Sequence, residues 1–142
     1  GLTYSGHPLA CAAGIGVIQT MKEERVVENA KRIGDEVLGP GLRQLMEKHP
    51  SIGDVRGRGC FWGIELVRNR ETREMLVPFN ASGAEMGPVA ELANAAMNRG
   101  LSLMIHWNVI MIAPPLIITP QEATRGLEIL DEVLAITDRA VS

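Results

Sequence analysis

The chain has 142 residues, of which 46% are hydrophobic and 22% charged, the balance of a globular protein able to bury a core as one domain. Its formal net charge is -3 with acidic and basic residues interspersed, which argues against nucleic acid or an anionic membrane as the main partner. The longest apolar stretch, Val109 to Ile118, is split by Pro114-Pro115 and is too short to span a bilayer. Cys11 and Cys60 stand apart with no CxxC pair, as expected of free thiols in a reducing, cytoplasmic setting.

The chain opens on Gly1-Leu2-Thr3-Tyr4-Ser5-Gly6-His7-Pro8, a hydroxyl-bearing turn that runs directly into a helix start. Pro8 suits the first helical position, and the N–H groups behind it, with the positive end of the helix dipole, make the turn a candidate anion site. The same run also reads as an ordinary capped helix under a Gly-containing turn. No initiator Met, charged leader or capping residue precedes it, so the sequence reads as the C-terminal part of a longer polypeptide.

The first helix is expected from Pro8 to about Met21, with small residues Ala10, Ala12, Ala13, Gly14 and Gly16 permitting close approach of another backbone. A second amphipathic stretch places Val26, Ala30, Ile33, Val37, Leu38, Leu42, Leu45 and Met46 on one face, either kinking at Pro40 or restarting there. Ile52 to Val67 switches to period two and reads as a strand bent near Arg56-Gly57-Arg58-Gly59. Cys60, Trp62, Ile64 and Leu66 fall on one face and Phe61, Gly63, Glu65 and Val67 on the other. Asn69 to Gly83 reads as a long irregular excursion. Pro88 to Arg99 is a helix with Val89, Leu92, Ala93, Ala96 and Met97 inward, closed by Gly100. Leu101 to Ile105 and Val109 to Ala113 form strands around a His106-Trp107-Asn108 turn. Thr119-Pro120-Gln121-Glu122 is a capping box opening a helix through Asp138, with Ala123, Leu127, Leu130 and Leu134 inward. The order implies an α+β fold, a largely antiparallel sheet of three to four strands with helices packed on it.

The three histidines, His7, His49 and His106, lack metal-ligand spacing, and no nucleophile elbow or P-loop is present. Arg56 and Arg58 flank Gly57 and could hold an anion, or be ion-paired on the surface. His106 and Trp107, on a turn, are candidate pocket residues, or else Trp107 caps the sheet. Glu23, Glu24, Glu28, Asp35 and Glu36 read as a solvated helix face.

Three segments, Thr3 to Ala13, Val55 to Leu66 and Ala113 to Thr119, together resemble the class III, pyridoxal-phosphate-dependent aminotransferases, with a lean toward the omega-amino-acid and taurine:pyruvate branch. The resemblance implies the small C-terminal domain of a fold-type-I enzyme. Residues 1–39 would be the end of the large domain and an interdomain helix, and residues 40–142 the small domain. It implies pyridoxal 5'-phosphate as cofactor and a homodimer or larger assembly, with Thr3, and beside it Tyr4 and Ser5, at the cofactor phosphate of the neighbouring subunit. The substrates implied are an amine or omega-amino acid and a 2-oxo acid such as pyruvate.

Lys22, Lys31 and Lys48 do not match the family's Schiff-base context, so the chain by itself is expected to be catalytically inactive. Many members carry an arginine shortly before the Pro-Pro pair that clamps the substrate carboxylate. Here Val109, Ile110, Met111 and Ile112 fill the stretch, which brings in His106 and Trp107, an arginine from elsewhere, or an amine or sulfonate donor as alternatives. Two other readings stand beside this one: a non-catalytic α+β binding or dimerisation module, and a racemase or aminomutase of the same superfamily.

Overall fold

A computed structural model describes all 142 residues. α1 (Pro8–Glu23) is followed by α2 (Val26–Ile33), a π-helical turn (Gly34–Leu38) and α3 (Gly39–Lys48). β1 (Ile52–Arg58), β2 (Phe61–Asn69) and the short β3 (Glu74–Met75) come next, then a 3₁₀ turn (Gly83–Met86) and α4 (Gly87–Asn98). β4 (Met104–His106), β5 (Val109–Ile112) and α5 (Pro120–Asp138) complete the chain. The sheet is five-stranded and antiparallel, ordered β1-β2-β5-β4, with β3 on the far part of β2. This is the α+β fold expected.

The helical stretch from Val26 to Lys48 keeps one apolar face, with Ile33, Leu38, Leu42 and Leu45 buried, but its irregularity lies one turn ahead of Pro40. Pro40 has no N–H to give the carbonyl four residues back, and its ring crowds that carbonyl. Widening the helix relieves both problems, and the Gly39 N–H bonds to Gly34 O, five residues back.

The bent strand expected over Ile52 to Val67 is instead a hairpin. β1 ends at Arg58, Gly59 turns with φ +58, and β2 returns antiparallel from Phe61 with Gly57 opposite Trp62. Cys60, Trp62, Ile64 and Leu66 are buried as their alternation requires. Val67, expected on the open face, is buried too, because the bulge at Gly53 leaves its side chain room against that glycine. Asn69 to Gly83 is not merely an excursion, since it carries β3 and delivers Leu76, Val77 and Ala81 to the core. On α4 the buried residues are Val89, Leu92 and Ala96, while Met97 lies outside that stripe and is exposed.

α5 begins with the anticipated capping box. The Glu122 N–H donates to Thr119 Oγ1 at 3.2 Å, and the Thr119 N–H donates to Glu122 Oε2 at 2.9 Å, which holds the Glu122 carboxyl below its ordinary value. The helix buries Ala123, Ile129, Leu130, Val133, Leu134 and Thr137, and leaves Leu127 half-buried.

At its other end α5 is tied to the start of β1. His49, buried, sets Nδ1 2.6 Å from Asp138 Oδ2 and Nε2 2.8 Å from Asp131 Oδ1. The Ser51 hydroxyl donates to Asp138 Oδ1 at 2.7 Å, and Lys48 Nζ donates to Asp131 Oδ2 at 2.6 Å.

Hydrogen bonds from Lys48 and then His49 hold the Asp131 carboxyl below its ordinary value. Because its folded-state value is depressed, the stabilisation is complete above the unfolded carboxylate value of about 3.9 and is lost as pH falls through the lower folded value. In urea unfolding followed against pH, stability falls below about pH 4, and Asp131→Asn has a lower plateau and a shallower acid limb. A side chain at Gly34 meets backbone, since an added Cβ would lie 2.5 Å from Gly59 Cα. Gly34→Ala is therefore expected to cost about 1–3 kcal/mol in the same measurement.

Candidate functional site

The β1–β2 hairpin, the loop after β5 and α2 converge on one cavity. Its walls include Val27, Ala30, Arg58, Phe61, Pro114 and Leu116, and its volume is about 650 Å³. The hairpin tip reaches α2 because glycine stands at each point of contact. Gly34 faces the Gly59 backbone, while Gly39 and Gly57 face Trp62, whose indole N–H donates to Gly59 O at 2.7 Å. The Cys60 thiol, turned inward, lies 3.8 Å from Ala30 O, and burial pushes its pKa up. Asn29 fixes the loop after β5 by donating from Nδ2 to Leu116 O at 2.8 Å and Ile118 O at 3.1 Å. Two of the three sequence segments singled out above thus form one wall.

The two arginines of the hairpin have different roles. Arg56 is bridged by Asp54 and Glu65, and both carboxylates hold its guanidinium protonated. It is a paired surface residue. Arg58, at the tip, has no carboxylate within ion-pair distance and stands at the cavity as a free cation.

The third segment, the N-terminal turn, stands apart at the far end of α1, about 24 Å along a helix of 16 residues. The Leu2 N–H donates to Ser5 Oγ at 3.1 Å and the Ser5 N–H to Leu2 O at 2.9 Å, closing the turn. His7 caps the helix from within the chain. Its Nδ1 accepts from the Ala10 N–H at 3.5 Å and its carbonyl from the Cys11 N–H at 3.0 Å. Of the free donors at the helix start, the Ala10 N–H is thereby used. Thr3 is different, because neither its hydroxyl nor its N–H has a partner in the chain. Tyr4 is exposed, with its ring 5.6 Å from that of His7.

His106 and Trp107 lie at the opposite end of β5 from Pro114 and are not brought into this cavity. Trp107 turns with φ +50, is half-buried, and packs on Phe79 at 4.4 Å between ring centroids, with His106 edge-on at 5.6 Å. Ahead of the proline pair, Ile110 is fully buried, while Met111 shares the open sheet face with Met104, Gly63 and Arg56. Of the lysines, Lys31 is paired with Asp35, Lys48 with Asp131, and Lys22 is exposed on α1. The acidic residues from Glu23 to Glu36 are exposed, as a solvated face should be.

The His49 cluster was missed in the sequence because its partners lie 82 and 89 residues away. Arg58 carried a signal that could have singled it out, as the last side chain before a glycine that must take positive φ.

The family model for class-III aminotransferases matches residues 1–134. The chain is 36% identical over 96% of its length to ethanolamine-phosphate phospho-lyase homolog 1 of Caenorhabditis elegans, covering 28% of that protein. It is 35% identical over 93% of its length to the 4-aminobutyrate aminotransferase of Escherichia coli, covering 29% of that protein. It also superposes with a TM-score of 0.85, at 35% identity, on taurine:2-oxoglutarate aminotransferase from Bifidobacterium kashiwanohense, solved with PLP and glutamate, covering 100% of this chain and 31% of that one. The chain thus spans less than a third of the length of these relatives. No helix is long and apolar enough to cross a membrane.

The two thiols should differ in reactivity. In the 142-residue chain, an aromatic disulfide reagent is expected to modify exposed Cys11 at once and buried Cys60 only in denaturant; equal rates in the native state would contradict the packing of the hairpin tip.

Proposed function

Since this chain belongs to the class-III aminotransferase family, we propose that it is the C-terminal part of a pyridoxal-phosphate-dependent transaminase. The enzyme would move an amino group from an amine or omega-amino acid to a 2-oxo acid such as pyruvate. The observation that carries this reading is the family match over residues 1–134, reinforced by the superposition on the taurine:2-oxoglutarate enzyme.

The N-terminal turn fits a phosphate group on its own chemistry. Thr3 offers a hydroxyl and an N–H that nothing in the chain uses, and the Ser5 hydroxyl, which accepts from Leu2, still has its proton to donate. We assign Thr3, with Tyr4 and Ser5 beside it, to the coenzyme phosphate of a neighbouring subunit in a homodimer or larger oligomer. When bound, pyridoxal phosphate supplies the electron sink for the amino-group chemistry. The chain's own part is to anchor the phosphate through Thr3 and to wall the site with the sheet and its helices, which excludes water. The three lysines are exposed or paired with carboxylates, in keeping with a Schiff-base lysine outside this chain. Residues 1–39 and 40–142 would belong to the larger and smaller domains, although packing against the sheet's core already begins at Ala30 and Ile33.

Carboxylate recognition differs from the arginine clamp that the resemblance implies. The stretch before Pro114 holds no arginine, and Arg56 is consumed by Asp54 and Glu65. A second reading follows from the phospho-lyase homologue at 36% identity: a phosphorylated amino alcohol as substrate, losing inorganic phosphate.

The test is to express the whole reading frame that contains this chain and assay it with a panel of amine donors and pyruvate. Keto-acid-dependent amine consumption supports the transaminase, and phosphate release from ethanolamine phosphate without an acceptor supports the second reading. Absence of both, with no coenzyme bound, returns the chain to a non-catalytic module. Thr3→Ala should weaken coenzyme retention in equilibrium dialysis by about ten- to a hundredfold, the worth of one hydrogen bond to a charged group, with Thr3→Ser restoring it.

A further inference from the structure

At the end of the β1–β2 pair remote from the hairpin tip lies a polar cavity of about 460 Å³, with Gly53, Asp54, Arg56, Glu65, Arg70 and Arg73 among its lining residues. None of these residues takes part in the function proposed above. The volume falls in the lower part of the range of small-molecule clefts, about 300–1,000 Å³.

The three guanidinium groups there are held in different ways. Arg56 is compensated, since it is bridged by Asp54 and Glu65. Arg70 is fixed by backbone. Its Nε–H donates to Ile52 O at 2.9 Å and its Nη2 donates to His49 O at 2.6 Å and to Met46 O, so it closes the C-terminal end of α3. Carbonyls orient a guanidinium without cancelling its charge, and the Nη1 donors of Arg70 have no partner in the chain. Arg73 follows the turn built on Asn69, whose Oδ1 accepts from the Glu71 and Thr72 N–H groups, and takes φ +59. Arg73 has neither a carboxylate within ion-pair distance nor a hydrogen-bonded partner. The nearby Glu74 is directed to Arg68 instead, at 3.6 Å.

Two uncompensated guanidiniums, one of them pre-oriented with its planar donor pair unused, therefore border the same cavity. An oxyanion satisfies such a pair better than water does, because it accepts charge-assisted hydrogen bonds from both. Asp54 and Glu65, which also line the cavity, are both drawn onto Arg56 and leave Arg70 and Arg73 without a carboxylate partner.

We propose that this cavity binds a small oxyanion, a phosphate or carboxylate group, through the Nη1 donors of Arg70 and the guanidinium of Arg73. The experiment uses the whole protein that carries this chain, loaded with pyridoxal phosphate and dialysed free of excess, titrated calorimetrically with inorganic phosphate and, separately, with succinate at low salt. Saturable binding of either anion, weakened at least tenfold by Arg73→Ala and unchanged by Arg125→Ala at an exposed site near the start of α5, is the expected result. Whichever anion binds more tightly identifies the ligand class. Arg73→Asn, which tolerates the left-handed backbone, should reproduce the loss with an unchanged unfolding temperature. Absence of saturable binding, equal affinity in Arg73→Ala, or equal loss in Arg125→Ala would overturn the assignment.

Discussion

The contact of the helical segment with the hairpin tip is the constraint on which the rest of the arrangement depends. Gly34 and Gly59 meet backbone to backbone, and Trp62 fills the space that Gly39 and Gly57 leave open. Helix axes normally stand off by the length of a side chain, and here that spacing is removed on one side by the π-helical turn and on the other by a glycine in a left-handed turn. The Trp62 indole, donating to Gly59 O, then locks the tip in place. Because interiors pack at crystal-like density, a methyl group added at Gly34 or Gly57 must displace backbone rather than only a flexible side chain. The position of Arg58 and the shape of the neighbouring cavity follow from that contact.

A second tie works at the opposite end of α3. His49, Ser51 and Arg70 gather the end of α3 and the start of β1, and Asp131 and Asp138 bring α5 to the same point. The side chains involved are polar and the cluster is largely enclosed, yet no buried side-chain nitrogen or oxygen lacks a partner. A satisfied network of this kind fixes one relative placement of its elements, whereas an apolar contact would tolerate sliding. The two ends of α3 are thus fixed by different means, by steric fit at the glycines and by directional hydrogen bonds at His49.

What the sequence disclosed was whatever is encoded within a few residues. The Thr119 to Glu122 box named both the helix start and its hydrogen bonds, and the inward set on β2 followed from alternation. The hairpin at Gly59 was hidden for a specific reason. A two-residue turn inverts the parity of the pattern and puts Arg58 on the same face as Phe61, but β1, with its glycines and charged residues, has too few apolar positions to show the change, and only the left-handed glycine marks the reversal. Trp107 defeated expectation in the other direction, since a bulky residue occupies a backbone region where glycine or asparagine is usual. The burial of His49 had no local cue at all, because its carboxylates come from the last helix. Of the candidate site, the resemblance motifs located the hairpin and the proline loop, but no short-range pattern could reveal that Arg56 is neutralised by neighbours while Arg58 is not.

α1 bears on the proposed coenzyme role through energetics rather than contact. It contains no buried residue, and Leu9, Ile15, Val17 and Ile18 are all exposed. A helix of 16 residues is near the length at which an isolated segment is marginal in water, and its glycines at positions 14 and 16 lower its intrinsic propensity further. Tertiary cover over its apolar side would therefore supply much of what holds it straight. Thr3 sits at the end of that helix, so the hydroxyl is positioned for a phosphate only to the extent that the helix is held. In the proposed assembly, cover over α1 and retention of the coenzyme are for this reason linked quantities. Whatever stabilises the helix raises the population in which Thr3 is in place, and a phosphate gripped there returns the same free energy to the helix.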